Sequence, residues 1–387
     1  MNELKEKFKE LFSQKATIEL RSPGRVNLIG EHTDYNDGFV FPAAINLEIK
    51  GVAKPRNDSK INVFSMDFNE LVSFELSEEL KKERNWSDYI KGVINELKNV
   101  GEVKRGADIV FKSNLPVGSG LSSSAAFEVI NALLFSKIND INLSPVDIAL
   151  LCQKAENNFV GVNCGIMDQF AVALGKNDSA IFLDTKTLDY EIVPLNMNEY
   201  KIIISNTNKP RELSSSAYNE RRKQCEKAVE ILKKNGYKIN SLRDVKSKDL
   251  SKIKKLLPEI NFKRVKHVVE ENERVLKSVN LLKDGKIKDF GKLLNQSHTS
   301  LKNFYEVSCK ELDILVEEAL KIEGTIGSRM TGAGFGGCTV SIVKEQSINN
   351  FIEIVGKKYY ERTGLKPDFY VSEAVNGAEI FQIKEEE

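Results

Sequence analysis

The sequence has little of what marks several broad protein classes. Its 387 residues include only five cysteines, three histidines and one tryptophan, and 57 Lys+Arg nearly balance 56 Asp+Glu. The scattered cysteines form no CxxC pair, which argues against a zinc cage or a disulfide framework and suits free thiols in a reducing compartment. A net charge of +1 gives no sign of polyanion binding.

Long hydrophobic runs are also missing. No apolar run approaches the roughly 18 residues of a membrane helix, and the segment MNELKEKFKELF is charged throughout, unlike a signal peptide. We therefore expect a cytoplasmic protein that binds no membrane. Segment 233–266 has twelve Lys/Arg against three acidic residues. Since its aromatics are sparse and its apolar residues keep a helical period, solvated helix faces are favoured over a nucleic-acid surface.

What is present is typical of an ordinary soluble globular protein, with 41% hydrophobic and 29% charged residues. At roughly 150 residues per domain the length predicts two or three domains. Apolar periodicity predicts strands near 17–21, 39–53, 107–111, 179–183, 201–205 and 338–343. It predicts helices near 1–12, 88–99, 122–136, 145–160, 217–234, 263–283, 288–302, 308–321 and 347–362. Strands dominate early and helices later, which favours an α+β fold with a boundary near 185 and a solvated tail KEEE at 384–387.

A glycine- and serine-rich segment, LPVGSGLSSSAAFEVINALLF at 115–135, leads straight into a helical pattern. Free backbone N–H groups at a helix start favour phosphate oxygens, and glycine lets the backbone approach them closely. The serine hydroxyls suit a triphosphate or a metal, but a serine-rich N-cap explains the pattern equally well. No lysine ends the segment, which excludes a P-loop, and the HRD catalytic loop of protein kinases is absent.

A second glycine-rich segment, TGAGFGGCTVSIV at 331–343, is followed by a strand pattern rather than a helix. That order argues against a dinucleotide-binding fingerprint. Two interpretations stay open. The segment is either a tight turn entering a strand, or it packs against the first loop, where side chains would obstruct.

Several polar residues stand where apolar neighbours predict burial. Glu31, His32, Asp34 and Tyr35 lie between two apolar stretches, a grouping that suits a polyhydroxylated ligand, although a polar loop with an Asx turn at 36–38 remains an alternative. Glu156 falls on the apolar face of a well-capped helix, so it needs a cation or a basic partner.

Two more polar residues need buried partners. Asp168 lies amid apolar neighbours in NCGIMDQF, either as a helix N-cap or as a functional carboxylate. Tyr218 is in helical register with Cys225 and Leu232, so its ring is predicted to face inward, as a core tyrosine or as a ligand contact. His267 and His298 are predicted to be packing or surface residues rather than ligands.

Together these segments resemble the GHMP kinases, and within them the galactokinases. GRVNLIGEHTDYNDG at 24–38 is similar to the galactokinase signature, LPVGSGLSSSAA to the ATP-binding motif and MTGAGFGGCTV at 330–340 to the third motif. WSDYIKGV, CGIMDQF and SAYNERRKQCE also match the pattern. The resemblance runs from about residue 20 to 340.

This resemblance implies a two-lobed α+β GHMP-kinase fold, with an N-terminal lobe at 1–185 that resembles domain 2 of ribosomal protein S5 and a C-terminal lobe at 186–387. It implies ATP-dependent phosphorylation of the C1 hydroxyl of α-D-galactose, the Leloir-pathway step that yields galactose 1-phosphate and ADP. Asp168 would be the base and Arg25 the transition-state arginine.

The resemblance also assigns the binding residues. Galactose would be bound by Glu31, His32, Thr33, Asp34 and Tyr218. ATP would be bound by Ser65, Gly118, Ser119, Gly120, Leu121, Ser122, Ser123 and Ser124, with Trp86 and Tyr89 around the adenine. Mg²⁺ would be bound by Ser124 and Glu156. We expect a monomer whose partners are small molecules. An N-acetylgalactosamine kinase and a non-catalytic sensor of galactose and ATP remain alternatives.

Overall fold

A computed structural model of the chain describes residues 1–116, 118–209 and 214–383. Val117 of the first glycine loop and the predicted tail at 384–387 lie outside these residues. In the parts described, no helix is both long and apolar enough to cross a membrane.

The described residues form thirteen strands and eleven α-helices. Strands β1 to β13 are Ile18–Asn27, Phe39–Val40, Pro42–Pro55, Lys60–Ser65, Glu70–Glu75, Ala107–Ser113, Ser179–Asp184, Tyr190–Pro194, Tyr200–Asn206, Thr325–Thr331, Cys338–Lys344, Asp368–Ser372 and Glu379–Gln382. Helices α1 to α11 are Asn2–Phe12, Ser87–Leu97, Ser123–Ile138, Pro145–Ala155, Met167–Leu174, Ser214–Lys234, Leu250–Ile253, Glu259–Lys283, Ile287–Ser300, Lys310–Lys321 and Ile348–Thr363. The turns Glu156–Val160 and Leu301–Tyr305 are π-helical, and Asp34–Asn36, Leu242–Asp244, Ser247–Asp249 and Glu345–Ser347 are 3₁₀ turns.

Three sheets organise the described residues. The strand orders are β13-β1-β3-β6-β4-β5, β10-β11-β9-β12 and β2-β7-β8. The strands pair antiparallel except for β4 with β6. Predominantly antiparallel sheets with helices grouped apart from them confirm the predicted α+β class. Short edge strands such as β5 and β13 escaped prediction because they carry exposed residues and little apolar alternation.

Helix α3 lies at the centre of the largest core. Its residues are apolar on almost every side, and most of them are buried. The helix packs against β1, β3, α2, α4 and α5. A helix that is apolar all round is stable only when it is surrounded by other elements. The loop that precedes α3 is thereby fixed between the elements of the core.

The division into two lobes at residue 185 stays a prediction. That position lies in the turn of the antiparallel β7–β8 hairpin. Strand β13, near the end of the chain, pairs with β1 and so joins the first sheet. The polypeptide therefore leaves the first sheet and returns to it at its last strand.

Candidate active site

Two cavities contain most of the predicted site residues. The first, here called the polar cleft, has a volume of about 440 Å³ and its lining includes Arg25, Glu31, His32, Asp34, Glu156, Asp168 and Tyr218. The second, here called the aromatic pocket, has a volume of about 430 Å³ and its lining includes Ser65, Trp86, Tyr89, Gly118, Ser123 and Ser124. Cavities of this size suit small molecules.

The loop at 118–124 lines the aromatic pocket and contacts a residue of the polar cleft through Ser122. Gly118 and Gly120 have φ angles of +69° and +79°, which glycine adopts without strain. Ser122 occupies the N-cap position of α3, but its hydroxyl caps no backbone group and instead donates to Asp168 Oδ2 at 2.6 Å. The serine-rich N-cap interpretation therefore fails for Ser122, whose side chain serves the polar cleft.

Five predicted binding residues line neither cavity: Thr33, Ser119, Gly120, Leu121 and Ser122. The Thr33 hydroxyl is buried and donates to the carbonyls of Gly30 and Phe39 at 2.8 and 2.6 Å. The Ser119 hydroxyl donates to the Pro116 carbonyl at 2.7 Å. The Leu121 side chain is buried. The side chains of Thr33, Ser119 and Leu121 therefore belong to the packing of the loops rather than to either cavity.

Asp168 and Arg25 form an ion pair with two hydrogen bonds in the cleft. Arg25 Nε and Nη2 donate to the two oxygens of Asp168 at 2.9 and 2.7 Å, while Nη1 donates to the Gly120 carbonyl at 2.7 Å. Asp168 lies in the first turn of α5, so the predicted N-cap alternative is wrong. The arginine therefore ties a cleft carboxylate to the glycine loop through charge-assisted hydrogen bonds.

The third motif packs against both of the others. A Cβ on Gly332 would lie 3.0 Å from the Gly120 carbonyl oxygen, and the φ of Gly332 is +83°. This contact supports the interpretation in which the second glycine-rich segment packs against the loop before α3, where side chains would obstruct. The Gly332 N–H also donates to Glu31 Oε1 at 2.7 Å.

Glu31 is buried and largely engaged by the protein. Its oxygens accept hydrogen bonds from Asn27, Thr331 and Gly332, and the buried Arg329 lies 3.0 Å from Oε1. A buried carboxylate is stable only when it is paired and hydrogen-bonded in this way. Glu31 thus binds the first motif to the third and presents what remains of its carboxylate to the cleft.

Three other cleft residues, His32, Asp34 and Tyr218, have shifted pKa values. Burial lowers the pKa of His32 to about 3, so the imidazole is neutral. Burial and the nearby charge of Asp168 raise the pKa of Asp34 to about 7. Burial also raises the pKa of Tyr218. Perturbed groups gathered in one cleft are typical of a functional site.

Replacing Asp34 with asparagine is expected to stabilise the ligand-free protein more at pH 8 than at pH 5. The folded pKa of about 7 exceeds the ordinary aspartate pKa of 3.8 that applies to the unfolded chain, so the unfolded chain loses this proton first. The carboxylate then lowers the free energy of unfolding as pH rises from about 4 to 7, and Asp34→Asn removes that loss. The advantage of the variant should grow by on the order of 2 kcal/mol between pH 5 and pH 8 in chemical unfolding. An advantage that does not change with pH would contradict the raised pKa.

Glu156 is a buried carboxylate that has no basic partner among the described residues. It lies at the start of the π-helical turn after α4, a distortion frequent at functional sites. Its described partners are the Gln169 amide at 2.6 Å, the Cys164 thiol at 3.4 Å and the Ser124 hydroxyl. None is cationic, so the salt-bridge alternative finds no support among the described residues.

A divalent cation fits this arrangement. Burial and the charge of Asp168 raise the pKa of Glu156 to about 7, and burial raises the pKa of Glu128 beside it. Glu128 Oε1 is buried with no hydrogen-bond partner in the described structure. No group of three or more His, Cys, Asp or Glu among the described residues forms a metal cage. Mg²⁺ commonly uses one or two protein ligands and completes its shell with phosphate and water.

Comparisons with known proteins decide the family. The models described as GHMP kinases N terminal domain, Galactokinase galactose-binding signature and GHMP kinases C terminal match residues 88–176, 6–55 and 278–361. The chain is 48% identical over 383 residues to the galactokinase of Clostridium acetobutylicum, and the match covers 98% of each chain. The chain belongs to the galactokinase family of the GHMP kinases.

Solved structures agree with this family membership. The galactokinase of Lactococcus lactis, solved with galactose, matches with a TM-score of 0.95 and 41% identity over 98% of this chain and 99% of that one. The Methanococcus jannaschii mevalonate kinase shares the fold, with a TM-score of 0.64 and 20% identity over 93% of this chain and 99% of that one. The galactokinase-family chain is therefore an enzyme, a kinase, and its family uses ATP as co-substrate.

Sequence reasoning missed several residues around the cleft of this galactokinase-family enzyme. Gln169 and Glu128 flank Glu156, and Arg329 pairs with Glu31. Gln169 stands beside the predicted Asp168, and Glu128 is a charged residue inside the apolar pattern of α3, so both carried a usable signal. Arg329 carried none, because its partner lies about 300 residues away in the chain.

Proposed function

We propose that the enzyme transfers the γ-phosphoryl group of ATP to the C1 hydroxyl of α-D-galactose, giving galactose 1-phosphate and ADP. One observation carries the proposal: Asp168, in the polar cleft, accepts a hydrogen bond from Ser122 of the loop that adjoins the aromatic pocket. A sugar in the cleft and a nucleotide in the pocket would then meet at this carboxylate.

The reaction needs positioning and charge stabilisation more than covalent chemistry. The transferring phosphoryl group passes through a loose transition state, so electrostatic groups supply most of the rate. Asp168 would accept the proton of the C1 hydroxyl as that oxygen attacks phosphorus. Arg25, which reaches both Asp168 and the glycine loop, would orient the base and stabilise charge on the phosphoryl group.

Substrate and metal roles follow from the same geometry. Glu31, His32, Asp34 and Tyr218 would bind sugar hydroxyls, and Trp86 and Tyr89 would enclose the adenine. Ser124 and Glu156 would hold Mg²⁺, which neutralises phosphate charge when bound. The five cysteines are free thiols, which supports a cytoplasmic location. A two-lobed monomer that binds only small molecules completes the proposal.

Purified protein with Mg²⁺ and ATP tests this function through ADP release. Galactose, glucose, N-acetylgalactosamine, homoserine and mevalonate are compared as acceptors. We expect rapid ADP release with galactose and not with the other four acceptors. Faster release with N-acetylgalactosamine would favour a kinase for that sugar, and galactose binding without any release would favour a sensor. Absence of both binding and release with galactose would refute the proposal.

Gly332→Ala is expected to lower kcat/KM for ATP about ten-fold, because its Cβ would press on the Gly120 carbonyl and shift the loop. Gly364→Ala is the matched control, since Gly364 has a similar φ of +74° but no atom within 4 Å of its Cβ position. Both variants should lose about 1 kcal/mol or more of stability from the positive φ. Equal kinetics in the two variants would show that the contact with Gly120 is unimportant.

A further inference from the structure

A chain of hydrogen bonds leads from the polar cleft into the protein behind it. His32 Nδ1 lies 2.7 Å from the Tyr35 hydroxyl, which lies 2.8 Å from the Tyr305 hydroxyl. The Tyr305 hydroxyl is in turn 3.2 Å from the Cys225 thiol. None of Tyr35, Tyr305 and Cys225 has a role in the phosphoryl transfer described above, yet the chain ends in the cleft, whose lining includes both Tyr35 and His32.

His32 needs such support. Its φ of +62° lies in the left-handed region, which non-glycine residues adopt only when their surroundings hold them. The Asn36 amide donates to the His32 carbonyl at 3.0 Å, which fixes the backbone but leaves the ring free to rotate. The ring is packed by Tyr305, with centroids 4.7 Å apart, and its Nδ1 is held by Tyr35.

Tyr305 is itself rigidly placed. It ends the π-helical turn Leu301–Tyr305, and its side chain is fully buried. Arg221 Nε donates to its carbonyl at 2.8 Å, and the ring of His267 packs against the Tyr305 ring at a centroid distance of 4.6 Å. Because its backbone and its ring are both held, Tyr305 keeps its hydroxyl in one position within the chain of hydrogen bonds.

The chain also determines which nitrogen of His32 carries the proton. A thiol is weak both as a donor and as an acceptor, so the strong acceptor at the other end, the imidazole nitrogen, sets the direction of the chain. The hydrogens are therefore best directed from Cys225 to Tyr305, then to Tyr35, and from Tyr35 to Nδ1 of the neutral ring. The remaining proton lies on Nε2, which is near the Ala333 backbone and has no well-formed hydrogen bond in the described structure.

We propose that Tyr305, acting through Tyr35, is a positioning residue that fixes the ring orientation and the Nε2–H tautomer of His32 for donation to a sugar hydroxyl. This inference rests on the proposed binding of galactose in the polar cleft. The tautomer of His32 is a property of the ligand-free protein and does not depend on catalysis.

Tyr305→Phe tests the proposal because it removes one hydroxyl and keeps the ring. We expect galactose affinity, measured by calorimetry on the full-length protein without ATP, to fall about ten-fold. KM for galactose should rise similarly, while KM for ATP stays within about two-fold. Tyr359→Phe is the control, since its buried hydroxyl donates to the Thr207 carbonyl at 2.8 Å outside both cavities. That variant should lose stability but keep galactose affinity.

Two further measurements separate positioning from a general loss of structure. Tyr35→Phe should weaken galactose binding at least as much, and adding Tyr305→Phe to it should change little, because the chain is already interrupted. Nitrogen-15 NMR of the three histidines, with His32→Gln for assignment, should show Nε2–H in the parent and a tautomer mixture in Tyr305→Phe. Any of three results would overturn the proposal. The two substitutions could lower galactose affinity additively, Tyr305→Phe could leave the affinity unchanged, or the His32 proton of the parent protein could lie on Nδ1. If the parent bound no galactose, the proposed function would fail while NMR still decided the tautomer.

Discussion

Asp168→Asn should lower kcat at least 100-fold while galactose affinity stays within a few-fold of the parent. Asparagine keeps the size and shape of the side chain but cannot accept the proton of the attacking hydroxyl. General bases contribute about 10² to 10⁴ in rate, which sets the expected range. Steady-state kinetics for turnover and calorimetry for galactose binding measure the two quantities separately.

A loss of folding is the competing explanation for that result, because the substitution leaves the Arg25 charge without its partner. Asp184→Asn is the matched control. Asp184 accepts two hydrogen bonds from Arg243, at 3.2 and 2.8 Å, and lies outside both cavities. It should lose comparable stability and keep its turnover. Turnover in Asp168→Asn within ten-fold of the parent would remove Asp168 from the role of base.

Arg25→Lys should lower kcat about 10² to 10³-fold although the positive charge is retained. The guanidinium group donates to both Asp168 oxygens and to the Gly120 carbonyl at once, and a single ammonium group cannot reproduce that fork. The base would lose its orientation and the glycine loop would lose its anchor. KM for both substrates should change less than kcat, since the main loss arises in the transition state.

Arg243→Lys is the control for Arg25→Lys, because it breaks the same kind of two-bond pair with Asp184 away from the cleft. It should leave kcat near the parent value. Combining Arg25→Lys with Asp168→Asn should cost far less than the product of the single effects, because the two residues act as a unit. Fully multiplicative losses would show that Arg25 and Asp168 act independently.

Several elements of the site were predictable from local pattern. Helical spacing placed Glu156 on the buried face of its helix, and the structure confirms that Glu156 is buried beside Cys152. The cap predicted at the start of this helix is also present, as a capping box between Ser144 and Asp147. The glycine loop before α3 and the strand after the third motif also appear where the sequence predicts them. Each depends on residues within a few positions of one another.

For other residues the sequence pattern did not predict what the side chain contacts. Thr33 lies in the galactokinase signature, yet its hydroxyl bonds to backbone carbonyls and lines neither cavity. Ser122 has the sequence of a helix cap, yet its hydroxyl turns to Asp168, 46 residues further along the chain. A side-chain hydroxyl can donate to several alternative acceptors. Tertiary structure determines which acceptor lies closest and therefore which hydrogen bond forms.

By itself the sequence determined the α+β class, the main helices and strands, and the three motifs that carry the galactokinase-family resemblance. Only the tertiary structure decided which polar groups meet: Arg25 with Asp168 across 143 positions, Glu31 with Arg329, and Tyr35 with Tyr305 across 270. The reason is physical. Helices, turns and caps follow from neighbours in the chain, whereas pairing of buried charges and hydroxyls depends on how the packed core orients elements that are far apart in sequence.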